Sequence, residues 1–372
     1  MTGNVDPAAV AGMVTWGAFC VAFVFGLVAQ RSNFCTMGAV SDIVNMGDWN
    51  RMRMWLAIIA VAILGANGLQ LAGLIDLSKT IYTSPKFIWL SAIVGGLCFG
   101  FGMTLASGCG SKTLLRIGGG SLKSLVVFVV LGLSAYMTLK GLFGVWRVAL
   151  LDPFAITLGG NQDLPALAAR TGLLDKRSAQ VAISLAIAGA LLAFALKSRD
   201  FRTPDNLASS IIIGLMIGAG WYVSGALGYI AEDPKTLEEA FVATNSGRME
   251  SLSYVAPIAY TLELLMFWSD NSRVVTFGIA STLGIVSGGL AWALISRSFR
   301  WEGFRDAEDT ANHLVGAVLM GFGGVTALGC TVGQGITGLS TLALGSFVAF
   351  GAIIAGSLAA FRYQIWRVGR SG

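Results

Sequence analysis

Nine long apolar stretches dominate this chain, near residues 12–30, 54–76, 87–107, 124–145, 179–196, 207–230, 274–296, 313–329 and 340–360. About 20 apolar residues in a helix cross the hydrocarbon of a bilayer, where no water is present to satisfy an irregular backbone. Charged residues make up 12% of the 372 positions and hydrophobic ones 55%. That is too little charge to cover a water-soluble globule of this size and too much apolar sequence for disorder. The expected fold is all-α: a polytopic membrane protein with about nine transmembrane helices plus short re-entrant helices. Residues 1–11 carry no Lys or Arg, so the first stretch reads as a retained span rather than a cleaved signal.

Two weaker segments interrupt the pattern. Residues 32–50 contain Asp42 and Asp48, and residues 246–270 contain Pro257 and Glu263. Both are expected to be broken or re-entrant, a form tolerated in a membrane only where protein or a cavity covers the backbone.

An internal repeat supports that reading. GFGMTLASGC at 100–109 returns as GFGGVTALGC at 321–330, with six of ten positions identical at an offset of 221 (330 minus 109). The expected organisation is one transmembrane domain over 1–372. Its first repeat covers 12–145, a connector with one span covers 146–206, and the second repeat covers 207–360. An odd number of crossings between the two repeat starts would invert one half relative to the other.

Charge offers an independent constraint. With the N-terminus outside, Arg31, Arg51, Arg53, Lys112, Arg116, Lys123, Arg362, Arg367 and Arg370 all fall inside, as the positive-inside rule asks. The acidic stretch from Glu232 to Glu239 then falls outside. The expected location is the cell inner (plasma) membrane, with a cytoplasmic C-terminus. The mild basic excess reflects orientation, and no nucleic-acid partner is expected.

The chemistry concentrates in two words, Ser107-Gly108-Cys109-Gly110-Ser111-Lys112 and Leu328-Gly329-Cys330-Thr331-Val332-Gly333-Gln334. Each ends an apolar stretch and precedes a Gly-rich one. A chain that leaves the helix at membrane depth frees backbone N–H groups, and a short helix starting there points its positive end into the gap. Two such words suit a small anion, although small residues in membrane helices also serve plain packing. Cys35 follows the first span in Arg31-Ser-Asn-Phe-Cys35, and its repeat partner region near 244–248 has no Cys. Cys20 and Cys98 lie mid-span and are assigned to packing. The five cysteines are odd in number and lack a CxxC, so neither a disulfide framework nor a zinc site is expected. The single His313 disfavours metal binding or histidine catalysis and is expected at a helix start in a structural role. Glu263 is the one acid inside an apolar run, either a coupling group or a buried ion-pair member. Arg31 and Lys112 either neutralise an anion or mark the membrane boundary.

These words carry a resemblance. Arg-Ser-Asn-Phe-Cys35, Gly-Cys109 and Gly-Cys330-Thr-Val-Gly-Gln334-Gly-Ile-Thr-Gly make the chain similar to the YeeE/YedE sulfur-transport family over nearly its whole length. The resemblance implies thiosulfate uptake without a nucleotide-hydrolysing domain, along a path lined by Cys35, Cys109 and Cys330. The flanking candidates are Gly108, Gly329, Ser111, Thr331 and Gln334. No cofactor and no enzymatic activity are implied. The implied partners are the anion, the bilayer and a cytoplasmic sulfur-carrier protein. A permease for another sulfur or selenium compound is the alternative. A membrane sulfur-transfer enzyme or a structural subunit ranks below both. A neutral thiol can donate a weak S–H bond to the terminal sulfur of thiosulfate, and successive weak sites allow release as well as capture. A thiolate at ~6 Å and an effective dielectric of ~20 would repel a dianion by about 5 to 6 kcal/mol, so the neutral form is the working form.

Overall fold

A computed structural model describes residues 6–170, 172, 175–233 and 237–371. The first five residues, Gly372, the middle of the acidic stretch (234–236) and the side chain of Arg370 lie outside the described residues.

The chain is helical nearly throughout. Helix α1 (Pro7–Arg31) starts on a proline behind Asp6, whose side chain accepts the Ala8 N–H. Proline is well suited to that position because its missing N–H would have no partner there anyway. The short α2 (Thr36–Met46) ends at Gly47, whose φ of +68° supplies the left-handed residue that closes a helix. Then follow α3 (Asn50–Leu71), α4 (Trp89–Leu105), α5 (Gly110–Gly118), α6 (Leu122–Lys140), α7 (Leu142–Leu150), α8 (Leu164–Ala169) and α9 (Lys176–Leu196). Helix α10 (Pro204–Tyr222) widens into a π turn over Val223–Leu227, and α11 (Ala256–Met266), α12 (Phe277–Ile295), α13 (Ala307–Thr326) and α14 (Leu344–Ser371) complete the chain. The only strands among the described residues are two pairs of two residues each.

Eight helical stretches are long and apolar enough to cross a membrane. The ninth apolar stretch, 313–329, does not qualify. It lies in α13, whose first turn carries Glu308 and Asp309 and which ends at Thr326. Even so, α13 packs between α4 and α6. The two weaker segments are short helices of eleven residues each, α2 and α11.

Helix contacts mix the two parts of the chain. α1 lies along α12, α4 along both α13 and α14, and α3 along α9 and α10. The approach is backbone to backbone. A Cβ on Gly100 of α4 would sit 2.0 Å from the Ile353 carbonyl oxygen of α14, and one on Gly288 of α12 would sit 2.1 Å from the Phe23 carbonyl oxygen of α1. Without a hydrophobic effect to drive helices together in lipid, such close packing supplies much of their attraction.

The ion pairs mark two ends. Lys123 and Lys140 stand at opposite ends of α6. Lys123 pairs with Glu302 at 2.7 Å, and Lys140 pairs with Glu263 at 3.1 Å. Arg31, Arg116, Arg297 and Arg300 share the Lys123 end with Glu302 around a basin of about 620 Å³. Arg273 joins Lys140 at the other end, 2.9 Å from Glu263.

Candidate functional site

The helix breaks at the two Gly-Cys words are alike in backbone. Ser107 has φ +56° and Leu328 has φ +58°, a left-handed conformation that costs a non-glycine residue roughly 1–2 kcal/mol. Each occurs two residues before its cysteine. The strain is the same at offset 221, so both words end their helix by the same turn.

Beyond each turn a new helix begins at the cysteine. Cys109 is the N-cap of α5, and Cys330 directly precedes the helical segment 331–340, which contains the π turn Gly333–Gly338. Cys35 is the N-cap of α2. The Gly38 N–H donates to Cys35 Sγ at 3.4 Å, and the Gly333 N–H donates to Cys330 Sγ at 3.3 Å. Both bonds span three residues, the spacing of a side-chain cap. Cys109 Sγ instead lies 3.2 Å from Ser111 Oγ. The sulfurs of Cys35 and Cys330 thus accept from a helix start, and their S–H groups remain free to donate.

All three thiols are buried, with exposures of 8% for Cys35, 2% for Cys109 and 0% for Cys330. Cys109 is the electrostatic neighbour of both others. Tyr254 links the second and third. It is an electrostatic neighbour of Cys330, and its carbonyl oxygen lies 2.9 Å from where a Cβ on Gly110 would stand. Among the described residues, the buried polar atoms without a hydrogen-bond partner include Thr36 Oγ1 and Thr331 Oγ1, each on the residue after a cysteine, together with Tyr254 Oη and Gln334 Oε1. An unpaired buried polar atom costs about 1–3 kcal/mol, a cost that a polar guest would offset.

A cavity of about 170 Å³ reaches Gly329 and is lined by Tyr82, Tyr260, Arg147, Glu250 and Ser253, among others. Its volume exceeds that of several waters at about 30 Å³ each. On the other side of the cysteines, Lys112 and Arg116 of α5 lie within electrostatic range of Cys35. Neither side chain has a hydrogen bond or ion pair among the described residues.

The remaining candidates separate from this cluster. Arg31 pairs with Asp205 at 2.6 Å and lies over Trp292, in the basin rather than among the thiols. Glu263 is held by Lys140, by Arg273 and by the Tyr136 hydroxyl at 3.2 Å, an ion-pair knot at the far end of α6. His313 sits in the second turn of α13 rather than at its start, with Nδ1 2.7 Å from the Asp309 carbonyl oxygen. Cys20 is exposed on α1 and Cys98 is half-buried. Cys20 thus faces the surrounding medium, not a packed interior.

Four participants escaped the sequence reading: Tyr82, Tyr254, Ser253 and Glu250. The signal was available for part of this. Adding 221 to Cys35 gives Ala256, the first residue of α11, and not the 244–248 region. The second-half counterpart of α2 is therefore α11, and Tyr254 stands just before its start.

Long apolar helices packed through glycine, with polar breaks buried between them, define the class: a multi-pass helical membrane protein. The sulphur-transport family matches residues 31–359, and the chain belongs to that family. It is 29% identical over 334 residues to the thiosulfate transporter TsuA of Escherichia coli (strain K12), covering 87% of each chain. It is 28% identical over 346 residues to the thiosulfate transporter TsuA of Spirochaeta thermophila, covering 90% of this chain and 94% of that one. A shorter match, 30% over 94 residues, joins it to the probable transporter YedE of Escherichia coli, covering 25% of this chain and 21% of that one.

Proposed function

We propose that this protein carries thiosulfate across the plasma membrane into the cytoplasm, passing it between Cys35, Cys109 and Cys330. The observation that carries the reading is the placement of three buried thiols at the starts of three short helices, beside buried polar atoms that lack partners. Helix starts supply partial positive charge to the oxygens. The thiols supply soft, weak donors to the terminal sulfur. Ser111, Thr331 and Gln334 flank the path, and the close turns at Gly108 and Gly329 let the backbone approach it. The protein moves its cargo without chemical change and is not an enzyme.

In this reading nine helices cross, α13 included, and the two repeats are inverted. The Arg31 end is cytoplasmic, in keeping with its arginines. The 170 Å³ cavity then opens from the outside and the basic basin from the cytoplasm, where a sulfur-carrier protein would collect the cargo. Lys112 lies on the exit side of Cys109 and draws the anion inward, and Glu263 is structural.

Uptake of labelled thiosulfate into proteoliposomes holding the purified protein tests this. Transport inhibited by excess thiosulfate but not by sulfate is expected. No uptake, or stronger inhibition by another sulfur or selenium anion, would assign a different cargo. A persulfide formed on one of the cysteines during turnover would make the protein a sulfur-transfer enzyme.

A further inference from the structure

Glu250 lies outside the spanning helices, in the segment that leads into α11. It lines the cavity that ends at Gly329, next to Cys330. Its Oε1 accepts the Ser246 N–H at 2.8 Å, and its own N–H donates to Ser224 Oγ at 3.1 Å. Unlike Glu263, it has no ion-pair partner among the described residues.

The groups facing it explain why its charge is uncompensated. Tyr82 follows α3 and Tyr260 belongs to α11, and both are its electrostatic neighbours. Arg147 of α7 lines the same cavity and is ion-paired with Asp152 at 3.4 Å, although its Nε has no hydrogen-bond partner among the described residues. Arg248, on the same segment, donates to the Thr80 carbonyl at 3.3 Å. Helices α12 and α13 present only uncharged residues to the cavity. Burial pushes the Glu250 carboxyl up from its ordinary range, opposed by the hydrogen bonds from Ser246.

We propose that Glu250 is a proton-operated charge gate at the mouth of the path: protonated, it leaves the cavity neutral and admits a dianion, and ionised, it turns the dianion away. This rests on the transport reading above. A carboxylate in an anion's entrance would serve no purpose as a fixed charge. As a titrating group it couples entry to external acidity. Glu250 also orders its turn through Ser246, and a glutamine keeps that acceptor while removing only the charge.

The test uses the purified full-length protein in vesicles of fixed internal pH, with the external pH stepped from about 5 to about 8, a span above the ordinary carboxyl value of ~4.3. Wild-type thiosulfate uptake should fall with rising pH, approaching tenfold per pH unit above the midpoint, the limiting slope for one group. Glu250→Gln should hold the low-pH rate throughout, and Glu250→Asp should move the midpoint. A Gln variant that keeps the wild-type slope, or a wild type indifferent to pH, overturns the gate. Infrared difference spectra of the same proteins read the group without transport. A protonated-carboxyl band that titrates in this range and vanishes in Glu250→Gln is expected, and its persistence in that variant also overturns the gate. A wild type that carries no thiosulfate at any pH refutes the transport reading instead, and the infrared titration then decides on its own whether Glu250 changes charge.

Discussion

A thiol is a weak hydrogen-bond donor and a soft one, and each of the proposed path cysteines, Cys35, Cys109 and Cys330, combines that property with a place at a helix start. Alanine removes the donor with little change of volume, so Cys109→Ala should fold and lose thiosulfate uptake, read in proteoliposomes against the same protein's melting temperature. Cys20→Ala and Cys98→Ala should transport normally, since neither thiol stands among the short-helix starts. Serine keeps a donor and caps a helix well but replaces sulfur with hard oxygen. Ser at Cys35 or Cys330 should therefore retain more uptake than Ala and discriminate less well against sulfate, which competition assays would measure. Glu263 offers the opposite case. Its side chain is only 5% exposed and meets two cations. Hydrogen bonds to charged groups contribute roughly 1.5–3 kcal/mol, discounted here because both cations are well exposed. Glu263→Gln should lower the melting temperature while leaving the pH profile of uptake unchanged, and a changed profile would return Glu263 to the path.

Elements were legible in the sequence where periodicity or repetition spoke, and illegible where tertiary contact decided. The apolar stretches became helices because only a helix satisfies its own backbone in lipid. The repeated Gly-Cys words became two matching breaks. The repeat partner of Cys35 was misplaced because, at the offset of 221, only Ser253 matches a residue of Arg-Ser-Asn-Phe-Cys35, so identity drew no attention to a position that the offset itself gives. Glu250 carried no local signal, because its placement arises from a segment that folds back into the cavity. Glycine contacts can be tested at this scale. Gly100→Ala would force a Cβ against Ile353 backbone, and overpacking of this kind costs typically 1–3 kcal/mol. It should lower the melting temperature in detergent, whereas Gly12→Ala, with nothing within 4 Å, should not. Equal stability of the two variants would mean that α4 and α14 move apart freely.

For the whole molecule, the proposed topology takes its ends from the ion pairs and its side from the arginines. Reporter fusions should place a tag before Pro7 outside and one after Arg367 inside, and both on one side would refute the proposed topology. The glycine-mediated contacts have a further consequence. In the proposed repeat organisation α1 belongs to one half and α12 to the other, and their backbones touch at Gly26, Gly284 and Gly288. α4 is clasped in the same way by α13 and α14. Contacts this close oppose a rocking of one half on the other, and under the proposed transport reading the cargo is expected to move while the frame stands still. Such a protein behaves like a row of stepping stones rather than a ferry. A ferry returns faster when loaded, and vesicles preloaded with unlabelled substrate would then speed the entry of label. Stepping stones make no return trip, and preloading should bring no acceleration. For the same reason a bifunctional thiol reagent tying native Cys20 on α1 to Leu283→Cys on α12 should leave the traffic running.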